Sequence, residues 1–104
     1  MFALVVRFNI RDEKSAKLFD ELTAEAVERI RAHEPGTLVY ATATVEGEPL
    51  SRVFYEVYAD REVAFQAHEV APYVVEFHAR KNPLLVDHRV EFLTPGVAKG
   101  LPTI

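Results

Sequence analysis

Three polar side chains have types and positions that could take part in chemistry. His68 stands near the end of a short predicted helix, where a neutral imidazole could accept a proton. Tyr73 follows Pro72 at the start of the next predicted helix, and its phenol could donate a hydrogen bond. Asn9 ends the first predicted strand, where its amide could hold an oxygen atom. Each has an ordinary structural alternative. His68 could tie its helix to a strand by hydrogen bonds, Tyr73 could belong to the core or its rim, and Asn9 could hydrogen-bond at the strand end.

Residue counts limit the other chemistry that the chain can perform. The absence of cysteine excludes disulfides, thiolate catalysis and zinc–thiolate sites. The four histidines form no i, i+4 pair and no HExxH pattern, so we expect no dedicated metal site. The chain has no glycine-rich phosphate loop, so no standard motif indicates nucleotide or flavin binding. We therefore expect no cofactor.

The net charge and the hydropathy pattern limit the classes of partner that the chain can bind. The net charge is −4 and no run of Lys or Arg occurs, which argues against nucleic acid as a partner. The apolar N-terminal stretch ends at Arg7, which is too short for a signal peptide or a membrane span. A cytoplasmic protein without membrane contact is the expectation.

The elements that must position these residues follow the order β-α-β-β-α-β, with the second helix broken in two. The predicted strands are 2–9, 37–45, 51–58 and 86–94, and the predicted helices are 12–32, 60–69 and 72–80. Asp12 or Ser15 can cap the first helix, and Gly36 follows it where a positive φ is favoured. This order predicts one α+β domain over residues 1–104, a ferredoxin-like split βαβ with a four-stranded antiparallel sheet.

The strands predict an assembly as well as a fold. They are apolar on both faces, and helices on one face leave the other face uncovered. An apolar patch of that size is not tolerated on a monomer, so we expect a homodimer. The tail, 95–104, is predicted to be irregular and to pack on the partner subunit or along the sheet edge.

Short motifs in a fixed order carry a resemblance to a known family. They are EPGTLVY (34–40), YEVYAD (55–60), AF (64–65) and His68. In order and spacing they resemble the antibiotic biosynthesis monooxygenase domain family, and the likeness extends more weakly over 2–94. The chain departs from the family at Tyr58, where several relatives have tryptophan, and at Tyr73, where many have histidine. The segment 58–68 is one residue longer than the family pattern.

The resemblance implies a dimeric α/β barrel with a pocket between helices and sheet. It further implies a small monooxygenase that oxidises a phenolic or quinol-like aromatic compound with O2, without metal or flavin. The catalytic residues expected on this basis are His68 as base, with Tyr73 and Asn9 as orienting groups. The residues expected to bind the substrate are Tyr58, Phe65, Tyr40 and Phe77.

Two alternatives remain open. One is a non-catalytic dimer of the same fold that binds a ligand or is structural. The other is a haem-binding or haem-degrading monooxygenase, in which His78 would ligate the iron and the Asn9 amide would hydrogen-bond the bound oxygen species. Against the haem alternative, the position of the pocket tryptophan holds His68, and the chain has no tryptophan.

Two acidic residues also belong to the family pattern. We expect Glu34 to be structural, close to the turn at Gly36. We expect Glu56 to pair on the sheet face with a basic residue such as Arg52 or Arg89.

Overall fold

The computed structural model describes residues 1–102 and places helices on one face of an antiparallel sheet. The strands are β1 (Phe2–Ile10), β2 (Thr37–Val45), β3 (Glu48–Tyr58) and β4 (Leu85–Leu93), and the helices are α1 (Glu13–His33), α2 (Gln66–Val70) and α3 (Pro72–Lys81). A π-helical turn, Arg61–Phe65, leads into α2, and a 3₁₀ turn, Asn82–Leu84, leads from α3 into β4. The predicted α+β, ferredoxin-like arrangement is confirmed.

The sheet has the strand order β2-β3-β1-β4, so β1 lies in its interior. Side chains alternate across a strand, and the even-numbered residues of β1 face the helices. There Phe8 packs on Phe19 and Phe54, with ring centroids 5.3 and 4.8 Å apart. The core therefore lies between the sheet and α1, and the odd-numbered residues of β1 face the other side.

Helix α1 is held at its start and along its length. The side chain of Asp12 accepts a hydrogen bond from the Ser15 N–H at 2.7 Å, which caps the helix. Its apolar stripe buries Phe19 against the sheet. Arg52 of β3 forms two hydrogen bonds to the Asp20 carboxylate at 2.9 and 3.0 Å, which fix the helix over the strand.

Gly36 corrects one prediction. The sequence predicts a positive φ there, but among residues 1–102 only Gly47 and Gly100 have one. A Cβ on Gly36 would lie 2.8 Å from the Cβ of Ala64, so close packing requires the glycine. The positive φ of 77° occurs at Gly47, in a hairpin turn shorter than the predicted one.

The π turn before α2 is capped by Asp60. The side chain of Asp60 accepts hydrogen bonds from the N–H groups of Val63 and Ala64, both at 2.8 Å. The Phe65 N–H then donates to the Asp60 carbonyl at 3.1 Å, a bond spanning five residues. This spacing is that of a π turn, which holds more residues than an α turn.

The face of the sheet without helices is apolar only in part. Around the β2–β3 half lie Val39, Ala41, Val53 and Tyr55, of which Ala41 and Tyr55 are exposed. The other half carries charge, with Arg7 opposite Arg89 on β4. Residues 94–102 form no helix or strand, and the last two residues of the tail predicted to pack on the partner subunit or along the sheet edge, Thr103 and Ile104, lie outside the described residues. Among the described residues, no helix is long and apolar enough to cross a membrane.

Candidate active site

A cavity of about 210 Å³ lies between the sheet and the short helices. Its apolar wall consists of Leu4, Val6, Phe8, Phe65, Val90 and Phe92, and its polar groups are Tyr40, Glu56, His68, Glu69, His78, Lys81, Asn82 and His88. Apolar walls with a few polar groups are typical of a site for a small organic molecule.

His68 is the most constrained polar group of the cavity. It is 3% exposed, and its Nδ1 lies 2.8 Å from a carboxylate oxygen of Glu34. A carboxylate only accepts, so Nδ1 carries the hydrogen and Nε2 has a free lone pair. Nε2 lies on the side of Glu56, 3.9 Å from its Oε1. Burial lowers the pKa of His68 despite the nearby Glu34, which favours the neutral ring that a proton acceptor requires.

Glu34 orients His68 and joins several elements. It follows the last turn of α1, and its N–H donates to the Ile30 carbonyl at 2.9 Å. Its carboxylate accepts from His68, from the hydroxyl of Tyr73, and from Thr37 Oγ1 at 2.6 Å. The structural role predicted for Glu34 therefore includes fixing the tautomer of the imidazole, which the sequence analysis did not identify.

Glu56 corrects a second prediction. It is 5% exposed on the helix-facing side of β3 and accepts a hydrogen bond from the Tyr58 hydroxyl at 2.5 Å. Burial raises its pKa to about 7, although the bond from Tyr58 opposes the rise. The expected partners are engaged elsewhere, because Arg52 binds Asp20 and Arg89 binds Glu91.

The predicted aromatic residues divide between cavity wall and core. Tyr40 and Phe65 line the cavity, and the ring of Tyr40 lies 5.6 Å from that of His68. Burial raises the pKa of Tyr40 well above its usual value, so its hydroxyl stays protonated. Tyr58 is fully buried behind the wall and packs on Phe65 and His68, with centroids 5.1 and 5.3 Å away. Phe77 is also core and does not line the cavity.

Two of the predicted catalytic residues lie away from the cavity. Tyr73 faces a groove between α1 and α3, and its hydroxyl donates to Glu34. It reaches His68 only through that shared carboxylate. Asn9 is on the opposite face of the sheet, where it donates to Asp87 at 2.6 Å and accepts from Ser51 at 2.8 Å. The structure therefore places His68, Tyr40 and Phe65 at the cavity and Asn9 away from it.

Lys81 is a cavity residue that the sequence analysis missed. It is 4% exposed, and its ammonium lies 5.1 Å from the centroid of the Phe8 ring. It is hydrogen-bonded to His78 Nδ1 at 2.9 Å and to Asn82 Oδ1 at 3.1 Å. Burial lowers its pKa to about 8. Its helical spacing could have indicated that it is buried, because Lys81 follows Val74 and Phe77 on the same face of α3.

His78 occupies the cavity edge and has neighbours at both ring nitrogens. Its Nδ1 accepts from Lys81, and its Nε2 lies 3.6 Å from the Glu69 carboxylate. The proximity of His78 lowers the pKa of Glu69. Within residues 1–102, no three His, Cys, Asp or Glu side chains are grouped as a metal site.

Comparison with known proteins adds a family and a fold. A family profile described as antibiotic biosynthesis monooxygenase matches residues 1–80. No curated protein matches the sequence at a significant level.

Solved structures share the whole architecture. A crystal structure of an antibiotic biosynthesis monooxygenase is 22% identical, with TM-score 0.83, and the match covers 93% of this chain and all of that one. Rv0793 from Mycobacterium tuberculosis is 22% identical, with TM-score 0.82 and coverage of 95% and 97%. A variant of SnoaB, a cofactor-independent oxygenase from Streptomyces nogalater, is 17% identical, with TM-score 0.79 and coverage of 95% and 96%. At these identities the likeness establishes the fold.

Proposed function

The chain belongs to the antibiotic biosynthesis monooxygenase family, and on this premise we propose that it oxidises a phenolic or quinol-like aromatic compound with O2. His68 is the proton acceptor in this proposal. The observation that carries it is the neutral, buried imidazole of His68, held by Glu34 with its Nε2 lone pair free in an apolar cavity. Since a general base must be unprotonated and within reach of the acidic proton, this arrangement is suited to the step.

The chemistry needs no outside reductant. With an anthrone as substrate, His68 removes a proton from the ring carbon or its enol, which leaves an electron-rich anion. The anion passes one electron to O2, and the two radicals combine to form a carbon–oxygen bond. The peroxide anion takes the proton back from His68, and loss of water then leaves a quinone, so one oxygen atom enters the product and the other ends in water. SnoaB, described as cofactor-independent, makes such a route reasonable for this fold.

The protein would contribute desolvation, orientation and proton transfer. The apolar wall, including Val6 and Phe65, excludes water from the anion. Glu34 keeps Nδ1–H of His68 engaged and stabilises the imidazolium once it forms. Glu56 has a pKa of about 7 and lies 3.9 Å from His68 Nε2. It can exchange a proton with His68 when the imidazolium returns to the neutral form.

A homodimer is part of the proposal. The exposed apolar side chains on the β2–β3 half of the uncovered sheet face, among them Ala41 and Tyr55, would be covered by the same face of a second copy. The charged half around Arg7 would remain at the rim. A stable interface of this kind buries more than ~1,000 Å² in total.

The haem-binding alternative has less support. An iron ligand needs a free ring nitrogen, whereas His78 Nδ1 bonds Lys81 and Nε2 faces Glu69. Ligation would have to break one of these contacts.

The test is oxygen uptake with anthrone as substrate, using protein verified free of iron and flavin. General-base assistance is typically worth ~10² to 10⁴ in rate, so His68→Ala should lower turnover by about that factor. The matched control is His33→Ala, because His33 is exposed at the end of α1 and does not line the cavity. Circular dichroism checks that both variants are folded.

The outcomes separate the parts of the proposal. Uptake that never exceeds the buffer rate with anthrones or dihydroquinones would refute the oxidation and favour the non-catalytic binding protein. Uptake that persists in His68→Ala would keep the reaction class and refute the assigned base.

A further inference from the structure

Lys81 is a buried cation that the proposed reaction does not use. Its two hydrogen-bond partners, His78 Nδ1 and Asn82 Oδ1, are uncharged acceptors. Burying an ammonium group away from water is unfavourable unless an anion compensates its charge. In the part of the chain that the structure describes, no carboxylate hydrogen-bonds this ammonium. The ammonium lines the cavity, and the charges of Glu56 and Glu69 act on it only from a distance, without a direct ion pair.

The cavity has two different ends, which lie along β1. The His68 end is marked by Glu56, which is paired with Leu4 of β1 and lies 3.9 Å from His68 Nε2. The Lys81 end is marked by Phe8, whose ring lies under the ammonium. Four residues of strand separate Leu4 from Phe8, which is about 13 Å at ~3.3 Å per residue.

The middle of the cavity is apolar, and the Lys81 end is rich in donors. Val6 of β1 and its neighbour Val90 of β4 line the middle. Beside Lys81 stand the amide of Asn82 and the ring of His88, whose centroid is 6.5 Å from that of Phe8. Of the two carboxylates whose charges act on Lys81, Glu56 accepts a hydrogen bond from Tyr58 and Glu69 lies 3.6 Å from His78 Nε2.

We propose that the cavity selects an elongated aromatic acid, whose phenolic end lies at His68 and whose anionic group pairs with Lys81. This inference deepens the proposed function, since it takes the cavity as the substrate site. The anion supplies the direct ion pair that the ammonium lacks and accepts a charge-assisted hydrogen bond from it. The apolar middle then accommodates the rings.

The probes are 6-hydroxy-2-naphthoate and its uncharged amide, 6-hydroxy-2-naphthamide, which have the same rings and differ at one end. Their binding is measured by isothermal titration at neutral pH in the absence of any turnover. A charge-assisted hydrogen bond predicts that the acid binds about tenfold or more tightly than the amide. Lys81→Met should abolish this preference and leave binding of the amide within about twofold. Lys17→Met, on the exposed face of α1, is the matched control and should retain it.

Three results would overturn the inference. They are equal affinities of the wild-type protein for the two probes, no binding of either probe, and a preference for the acid that survives in Lys81→Met. The first two need no variant, so misfolding cannot hide them. Failure of this inference can be distinguished from failure of the proposed function. A preference for the acid without oxygen uptake would support the anion site and refute the oxidation. Oxidation of anthrone without a preference for the acid would support the oxidation and refute the anion site.

Discussion

Glu56 should make the protein less stable as the pH rises from weakly acidic to neutral. Burial raises its pKa from 4.5 to about 7, so between these values the folded chain holds a proton that the unfolded chain has released. Stability falls with pH wherever the folded state binds more protons. At about 1.4 kcal/mol per pH unit across this interval, the loss in free energy of unfolding reaches about 3 kcal/mol above pH 7.

The informative change is Glu56→Gln. Glutamine cannot ionise, and its side-chain oxygen can still accept the bond from Tyr58. We expect the variant to match the wild type near pH 4.5 and to exceed it by about 3 kcal/mol near pH 8. His68 acts in the opposite sense, because its lowered pKa costs stability as the pH falls below 6.5. Lys81, also with a lowered pKa, adds stability only above about pH 8. Both groups are present in the two proteins, so the difference between the two curves reports chiefly on Glu56, together with its electrostatic effect on Lys81.

The assay is urea unfolding followed by circular dichroism at several pH values and one fixed protein concentration, because a dimer's stability depends on concentration. Glu46→Gln removes the same charge from the exposed hairpin turn and should follow the wild-type curve. If the stability of Glu56→Gln runs parallel to the wild type across the whole range, the carboxyl does not hold its proton in the folded state and the reasoning is wrong.

Four further outcomes are expected. Gly36→Ala should lower the free energy of unfolding by about 1–3 kcal/mol through overpacking against Ala64, whereas Gly96→Ala, with open space around it, should be near neutral in the same urea assay. Light scattering at micromolar concentration should report about twice the chain mass of 11.8 kDa, and a monomer mass would contradict the dimer. Deleting residues 95–104, where Val97 is fully exposed and free to meet a partner, should raise the dimer dissociation constant; an unchanged constant would refute the contact. Titration with haemin should show no tight binding, and a shifted Soret band that is lost in His78→Ala would reverse that expectation.

The elements were predictable because their patterns are local. Asp12 at a cap and alternating residues in the strands each depend on neighbours along the chain, and the structure has helices and strands close to the predicted positions. The partners of the site were not predictable, because they depend on contacts between distant segments. Glu34 meets His68 and Tyr73 across 34 and 39 residues. Alternation along a strand places Phe8 and Asn9 on opposite sides of the sheet, but it does not tell which side holds the cavity.

The bonds to Glu34 also have a consequence for the order of folding. One carboxylate joins the end of α1 to β2, α2 and α3, and two of its three side-chain partners are more than 30 residues away. Contacts of such sequence separation form only after the intervening chain has been ordered, so we expect substitutions of Glu34 to speed unfolding and leave the folding rate nearly unchanged. The oriented imidazole is then absent from the folding transition state and from any partly folded chain. On the proposed function, a newly made molecule would gain its proton acceptor only when its last elements have docked.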